Sequence, residues 1–157
     1  MHWRFDQTEG QALGARIADY VSNTAFQPLL ETYPDFAAAY GLSANGSGDK
    51  DKDGSTDFAE YAFLTNPRQS DAPPGATVEF MGGAMSLVLR YTCSPARTAA
   101  GLVLLPQRSA DLSGWTPVGV TDEIDPDLGS TAVRQCRRAY VPVTPGSPLF
   151  LRLKAQL

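Results

Sequence analysis

Carboxylates recur at the spacing of a calcium-binding loop between residues 49 and 60, where the sequence reads DKDKDGSTDFAE. They stand at positions 1, 3, 5, 9 and 12 of this twelve-residue window, and Gly54 stands at position 6. A calcium ion takes about six to eight oxygen ligands at roughly 2.3–2.6 Å, and the chain around it needs a glycine at its sharp turn. The predicted calcium ligands are Asp49, Asp51, Asp53, the backbone carbonyl of Ser55, Asp57 and Glu60.

Most of the net charge of the chain belongs to this window. The protein carries −4 at pH 7, and the five acidic and two basic residues of the window contribute −3 of it. Lys50 and Lys52 fall at positions 2 and 4, which we expect to face outward, so that they offset charge without blocking the ion. A solvated acidic surface loop is the alternative interpretation, but the number of matched positions favours calcium.

The flanks of the window differ from those of a paired, sensor-type EF-hand. Position 8 is Thr56, where paired loops usually have an aliphatic residue, and the flexible Gly46-Ser47-Gly48 stands where an incoming helix is expected. The apolar stretch FAEYAFL follows from Phe58 to Leu64, and Pro67 prevents it from continuing as a helix. The sequence therefore predicts one loop followed by one short helix.

The composition argues against several other classes of protein. Thirteen basic and 17 acidic residues give a pI near 4.9, whereas a nucleic-acid-binding protein shows a basic surface and a high pI. His2 is the one histidine and the two cysteines form no CxxC pair, which argues against triad catalysis and histidine-rich zinc sites. No apolar run reaches the roughly 20 residues of a membrane span, and the opening MHWRFDQTEG lacks a signal-peptide pattern. We expect no nucleic-acid partner, no membrane span, and either a cytoplasmic chain or part of a longer exported one.

The chain divides into three segments of different composition. Residues 1–45 are predicted to hold two or three short helices, with a capping pair at Thr8 and Gln11, an apolar stretch over 25–33, and a last helix from Pro34 to Gly41. Residues 46–71 hold the calcium loop, its helix and the beginning of a Pro/Gly-rich linker over 66–75. Residues 72–157 have the short alternating runs of an antiparallel β-sandwich. The predicted fold class is therefore α+β.

Strands are predicted at 77–80, 85–93, 102–105, 115–120, 131–143 and 149–155, the third ending at Pro106. The odd-numbered residues of 85–93 are apolar, which predicts one buried face with Cys93 on it. Cys136 shares its face with Arg134, Arg138 and Tyr140, which is the more polar face. The two thiols are therefore expected on opposite faces and unbridged. A disulfide between them is the alternative, because Arg137-Arg138 interrupts the alternation and could mark a bulge that changes the register.

Three further groups of side chains have a structural and a functional interpretation. The acidic residues Asp122, Glu123, Asp125 and Asp127 are predicted to form a solvated loop, with a second cation site or a glycosidase pair as alternatives. The basic residues Arg134, Arg137 and Arg138 are predicted to form a solvated strand face, with an anion-binding patch as the alternative. Trp115 is predicted in the core, and the alternative is an aromatic platform with Tyr140 for sugar binding.

The region from about 46 to 157 resembles the carboxyl-terminal calcium segments of large exported bacterial proteins. The run DKDKDGSTDFAEYAFLTNP is similar to their DxDxDGxxNxxEYxxGTNP pattern and to the calcium loops of dockerins and thrombospondin type 3 repeats. A small β-domain with an S-x-D-L-x-x-W motif and a closing F-L-R-L strand often follows, and these match Ser109 to Trp115 and Phe150 to Leu153. Asp57 replaces the usual Asn, and Leu64 stands where the family often has glycine. The resemblance implies an extracellular or cell-envelope location and a non-catalytic carboxyl-terminal module.

The sequence thus favours a non-catalytic, calcium-stabilised structural or interaction module. In this interpretation calcium orders the loop and fixes the helical part against the β-domain. The alternative is a carbohydrate- or protein-binding β-sandwich in which calcium is structural. An enzyme would need a concave site that gathers Asp122, Glu123 or Asp125, and we do not expect one.

Overall fold

The computed structural model describes residues 10–17, 32–71 and 74–157. The chain divides into two compact units, Met1–Leu30 and Glu31–Leu157. In the first unit the described residues 10–17 form helix α1, within a segment predicted to be helical. The predicted capping residue Thr8 and the apolar stretch over 25–31 lie outside the described residues. The segment boundaries predicted at 45 and 71 stay predictions.

Two short helices flank the acidic window in the second unit. Helix α2, Tyr33–Tyr40, has Pro34 in its first turn and ends where Gly41 adopts φ +65°, so the predicted stop at this glycine is confirmed. Helix α3, Asp57–Phe63, begins inside the acidic window, where the Thr56 hydroxyl accepts from the Ala59 N–H at 3.2 Å. The predicted helix after the loop is confirmed and starts one residue earlier than expected.

Six antiparallel strands in two sheets follow in the part of the chain that is described. The strands are β1 Ala76–Met81, β2 Ala84–Cys93, β3 Val103–Ser109, β4 Thr121–Ile124, β5 Gln135–Pro142 and β6 Phe150–Gln156. The larger sheet has the order β1-β2-β5-β4 and the smaller one pairs β3 with β6. A five-residue helix α4, Pro95–Ala99, connects β2 to β3. Few helices and two antiparallel sheets confirm the α+β class.

Two strand predictions are wrong in detail. Strand β3 does not end at Pro106 but runs through it, and Pro106 lies opposite Leu153. A proline is compatible with this strand because β3 has a full strand partner on one side only. On its open side no ladder bond needs the N–H that proline lacks. The predicted strand over 115–120 is reduced to a single bridge between Arg108 and Thr116.

The prediction of one buried face on β2 is also wrong. Leu89, Tyr91 and Cys93 are buried as expected, but Ser86 and Val88 on the opposite face are buried as well. Strand β2 lies in the interior of its sheet, between β1 and β5, and both of its faces are covered at its centre. A central strand of this kind loses the simple alternation that marks a half-exposed one.

The two cysteines are free and lie on opposite faces of the larger sheet. Thr92 pairs with Cys136 in the register of β2 and β5, so Cys93, the next residue, points to the other face. Both thiols are buried and unbridged. The register runs without interruption from Ser86 to Cys93, so the suggested bulge at Arg137-Arg138 is wrong.

None of the helices in the described ranges is both long and apolar enough to cross a membrane.

Candidate metal centre

The acidic loop curls because two of its residues adopt left-handed backbone angles. Lys52 has φ +64° and Gly54 has φ +96°, and they flank Asp53. Left-handed residues on both sides of Asp53 turn the chain tightly at this point. The glycine expected at position 6 is therefore at a sharp turn, as the sequence predicts.

Backbone N–H groups of the turn hold the first three carboxylates inward. Asp49 accepts from the N–H groups of Asp53 at 3.2 Å and Gly54 at 3.0 Å, and Asp51 accepts from Asp53 at 3.2 Å. Asp53 itself accepts from the Ser55 N–H at 2.7 Å. As a result, one carboxylate oxygen from each of Asp49, Asp51 and Asp53 lies within 4.8 Å of the others. Three such oxygens can share one cation.

Glu60 is buried beside these carboxylates without a partner of its own. The residue is 1% exposed, and neither carboxylate oxygen has a hydrogen-bond partner among the described residues. Burial, together with the negative charges of the four loop aspartates, raises the pKa of Glu60 to about 7. Oδ2 of Asp51 is likewise buried and unpartnered within the described structure. Buried carboxylates without partners are costly, and a bound cation would supply what they lack.

Asp57 has a different role from the other carboxylates. Its Oδ1 accepts from the Lys50 N–H at 3.2 Å, and its own N–H donates to the Gly48 carbonyl at 2.7 Å. Asp57 thereby joins the start of the loop to the start of helix α3. Asp57 and Glu60 both lie outside the close group formed by Asp49, Asp51 and Asp53.

The chain returns to the loop after helix α3, at a place where the sequence predicts a linker. The Asp71 N–H donates to Oδ2 of Asp53 at 2.9 Å, eighteen residues away along the chain. Together with the Ser55 N–H, this bond lowers the pKa of Asp53. The side chain of Asp71 in turn accepts from the Asn66 N–H at 3.5 Å. Residues 66–71 are therefore in contact with the acidic window through the bond of Asp71, and the linker over 66–75 stays a prediction.

Lys50 connects the loop to helix α2. Its backbone lies in the loop, while its Nζ donates to the carbonyls of Tyr40 and Gly41 at the carboxyl end of the helix. A cation at this end satisfies free carbonyls and interacts favourably with the helix dipole. Lys50 is exposed, as expected for position 2, but it also anchors the preceding helix.

An aromatic cluster packs α2 against α3 beneath the loop. The ring of Tyr33 lies edge-on to Phe58 and Tyr61 at centroid distances of 5.4 and 5.5 Å, and Phe36 lies 5.5 Å from Tyr61. The Tyr33 hydroxyl donates to the Ser43 carbonyl at 2.8 Å. Such ring pairs contribute about 0.5–1.5 kcal/mol each beyond their buried area.

Arg97 joins this cluster to the β-sheets. The residue follows β2 in helix α4, is 9% exposed, and donates from Nη1 to the Tyr61 carbonyl near the end of α3. Its guanidinium also lies 4.4 Å from the Tyr61 ring centroid and 5.3 Å from that of Phe36. The carboxyl end of α3 is thus held by a residue of the β-part of the unit.

The second acidic cluster is only in part the solvated loop that the sequence predicts, since Asp127 lies exposed in a turn but the other three members do not. Asp122 and Glu123 lie in strand β4, where they pair with Arg137 at 3.0 Å and Arg138 at 2.7 Å. Asp125, 1% exposed, pairs with Arg90 at 2.8 Å. The expectation of a solvated strand face is wrong for Arg137 and Arg138 for the same reason, because opposite charges meet across β4 and β5.

The motif around Trp115 forms a turn at the end of β3. The Asp111 carboxylate accepts from the N–H groups of Ser113 and Gly114, both at 2.9 Å, and the Ser109 hydroxyl donates to it. Trp115 donates from its indole to the Leu112 carbonyl at 3.0 Å. Trp115 is half-buried and outside the core, with the guanidinium of Arg152 4.1 Å over its ring. Its predicted core position is therefore wrong, and one face of the ring is covered.

Comparison with family models, with curated proteins and with solved structures gives no match for this chain.

Proposed function

We propose that this protein is a non-catalytic, calcium-stabilised structural or interaction module of an extracellular or cell-envelope protein. One calcium ion orders residues 49–60 and thereby fixes α2 and α3 against the β-part of the unit. Glu60 carries the proposal, because a carboxylate that is 1% exposed and without a hydrogen-bond partner in the described structure needs a cation.

The donor set suits calcium better than other metals. The close group of Asp49, Asp51 and Asp53 would supply one oxygen each, Ser55 its carbonyl, and Glu60 both carboxylate oxygens. One oxygen of Asp57 is occupied by the Lys50 N–H, which leaves Oδ2 for the ion or for a water on it. These are hard oxygen donors without a thiol or imidazole in the window, which disfavours zinc and copper.

The effect of the ion would extend along helix α3. The first residue of α3, Asp57, is a member of the loop, and the carbonyl of Tyr61 in its last turn is bound by Arg97. An ordered loop therefore fixes one end of the helix while the β-part of the unit fixes the other. Because extracellular calcium is abundant, the site would stay filled, and the ion would have a permanent structural role and would not act as a switch.

The proposal includes a β-sandwich without a catalytic centre. Face-to-face packing of the two sheets is supported by contact between β2 and β6, which belong to different sheets, and by the burial of Val88 and Leu89 on opposite faces of β2. The carboxylates that an acid–base enzyme would use, Asp122 and Glu123, are engaged with arginines instead.

A second candidate is the carbohydrate- or protein-binding sandwich in which calcium is structural. The observation that favours it is an open cavity at the end of β3, away from the acidic window. Both candidates share the calcium site and differ in whether the β-part binds a ligand.

Thermal unfolding with calcium, with chelator and with magnesium tests the calcium site. An ion that binds only the folded chain at 100 times its dissociation constant adds about 2.7 kcal/mol, or roughly 5–10 °C for a chain of this size. Charge neutralisation by D49N with E60Q should abolish this shift. D122N is the matched control: it removes a carboxylate paired with Arg137 and should leave the calcium shift intact. A calcium shift below about one degree, or an equal shift with magnesium, would contradict the proposal.

A further inference from the structure

A cavity of about 430 Å³ opens at the end of strand β3. Its wall is made by the last residues of β3, the turn at 114–116, and the segment that connects β5 to β6. The volume falls within the roughly 300–1,000 Å³ of small-molecule sites. The polar side chains that line it are Arg108, Ser109, Thr116, Thr144 and Ser147. No residue of the acidic window is among the residues that line this cavity.

Arg108 is the one charged residue of this wall, and its side chain is held in place. Its Nε donates to the Val118 carbonyl at 2.8 Å. Gly119 packs against the guanidinium, since a Cβ at this glycine would lie 3.4 Å from Cζ of Arg108. With Nε engaged, the terminal nitrogens are the donors that Arg108 has left for a ligand.

Arg108 also differs from the arginines of the larger sheet. Arg90, Arg137 and Arg138 each pair with a carboxylate. Arg108 has no carboxylate within ion-pair distance among residues 10–17, 32–71 and 74–157. A guanidinium keeps its charge at all physiological pH values, and its fork of N–H donors matches the paired oxygens of a carboxylate or a phosphate.

We propose that this cavity binds a small hydroxylated carboxylate of the uronic acid class. Arg108 would pair with the carboxylate, and the hydroxyl groups of Thr144 and Ser147 would bond to ligand hydroxyls. The protein has a net charge of −4, so an anion gains nothing from the overall field and binding must come from this local charge. The inference names a ligand class for the second candidate function, on which it rests, and it does not depend on the calcium site.

Titration of the calcium-loaded, ¹⁵N-labelled chain with D-glucuronate tests the inference. We expect amide shifts confined to 108–116 and 142–149, with a dissociation constant of about 1 mM or lower. D-glucose, which lacks the carboxylate, should bind at least about tenfold more weakly. Equal binding of the two sugars, or no shift up to about 20 mM glucuronate, would overturn the proposal. Shifts confined to 49–60 would overturn it too, because glucuronate would then be acting on calcium.

Two variants identify the residues involved. R108Q should weaken glucuronate binding at least about tenfold, whereas R134Q, which removes the same charge from an exposed arginine near Thr92, should not. Undiminished binding by R108Q would contradict the assignment. If the amide spectrum shows that R108Q does not fold, T144V combined with S147A takes its place, and unchanged affinity of that variant would count against the site. Failure of this titration leaves the thermal shift with calcium unaffected, so the two proposals fail separately.

Discussion

Oδ2 of Asp57 occupies the space that a side chain at Gly48 would need. A Cβ built on Gly48 would clash with this oxygen, while the N–H of Asp57 donates to the Gly48 carbonyl at 2.7 Å. The start of the loop and the start of α3 are therefore in direct contact, and a side chain at position 48 would force the Asp57 carboxylate or the backbone to move.

Replacement of Gly48 by alanine should loosen this contact. G48A should destabilise the calcium-bound protein by roughly 1–3 kcal/mol, because either the Asp57 carboxylate or the backbone must move. Calcium titration and thermal unfolding measure the loss. G75A is the control, since nothing lies within 4 Å of a Cβ at that glycine. Equal stability of the two variants would mean that the contact at Gly48 has no effect.

Substitution of Glu60 by glutamine should change stability in opposite directions with and without calcium. Without the ion, E60Q removes a buried negative charge that faces four aspartates, so the chelator-treated variant should melt above the wild type. With the ion, the variant lacks a charged ligand and should melt below the wild type. A variant that melts lower in both conditions would show that Glu60 has a purely structural role.

Lys50 and Lys52 allow a matched test of the contact between the loop and the carboxyl end of helix α2. K50Q and K52Q remove the same charge from the same loop, but only Lys50 donates to the end of α2. K50Q should therefore cost about 0.3–1 kcal/mol more than K52Q in urea unfolding. Calcium affinity should change equally in both. A larger loss for K52Q would contradict the anchoring role.

Leu64 ends helix α3 with φ +63°, in the left-handed region that favours glycine. A side chain in this left-handed region costs roughly 1–2 kcal/mol relative to glycine. Comparison of L64A with L64G isolates this cost, because both variants lose the leucine side chain. L64G should be the more stable by about 1 kcal/mol in thermal or urea unfolding, and a more stable L64A would refute the strain.

Glu79 should contribute to stability only above its lowered pKa. Hydrogen bonds from Arg90 lower the pKa of Glu79 to about 2 from its ordinary 4.5. The pair therefore stabilises the folded chain above pH 4.5, and its contribution disappears as the pH falls toward 2. E79Q should melt below the wild type at pH 7, with a difference that shrinks to zero at low pH. A difference that does not change between pH 7 and pH 2 would rule out the ion pair as its cause.

Local patterns were the part of this structure that could be predicted. The helix stop at Gly41 and the turn at Gly54 depend on the chain within a few residues, and so do the inward carboxylates. The bond from Asp71 to Asp53 could not be predicted, because it uses a backbone N–H that every residue but proline has. The ion pairs of the larger sheet could not be predicted either. Asp125 and Arg90 are 35 residues apart, and only the strand order brings them together.

The bond between Arg97 and the Tyr61 carbonyl limits how the acidic window and helix α3 can be transplanted into another protein. A graft of the acidic window with helix α3 alone would carry every proposed ligand into a new host. It would leave behind the arginine that holds the end of the helix and the Asp71 N–H that holds Asp53. The smallest portable unit therefore extends past the ligands to Arg97 in helix α4, and because α4 follows a central strand of the larger sheet, a protein engineer should keep the native sheets with it.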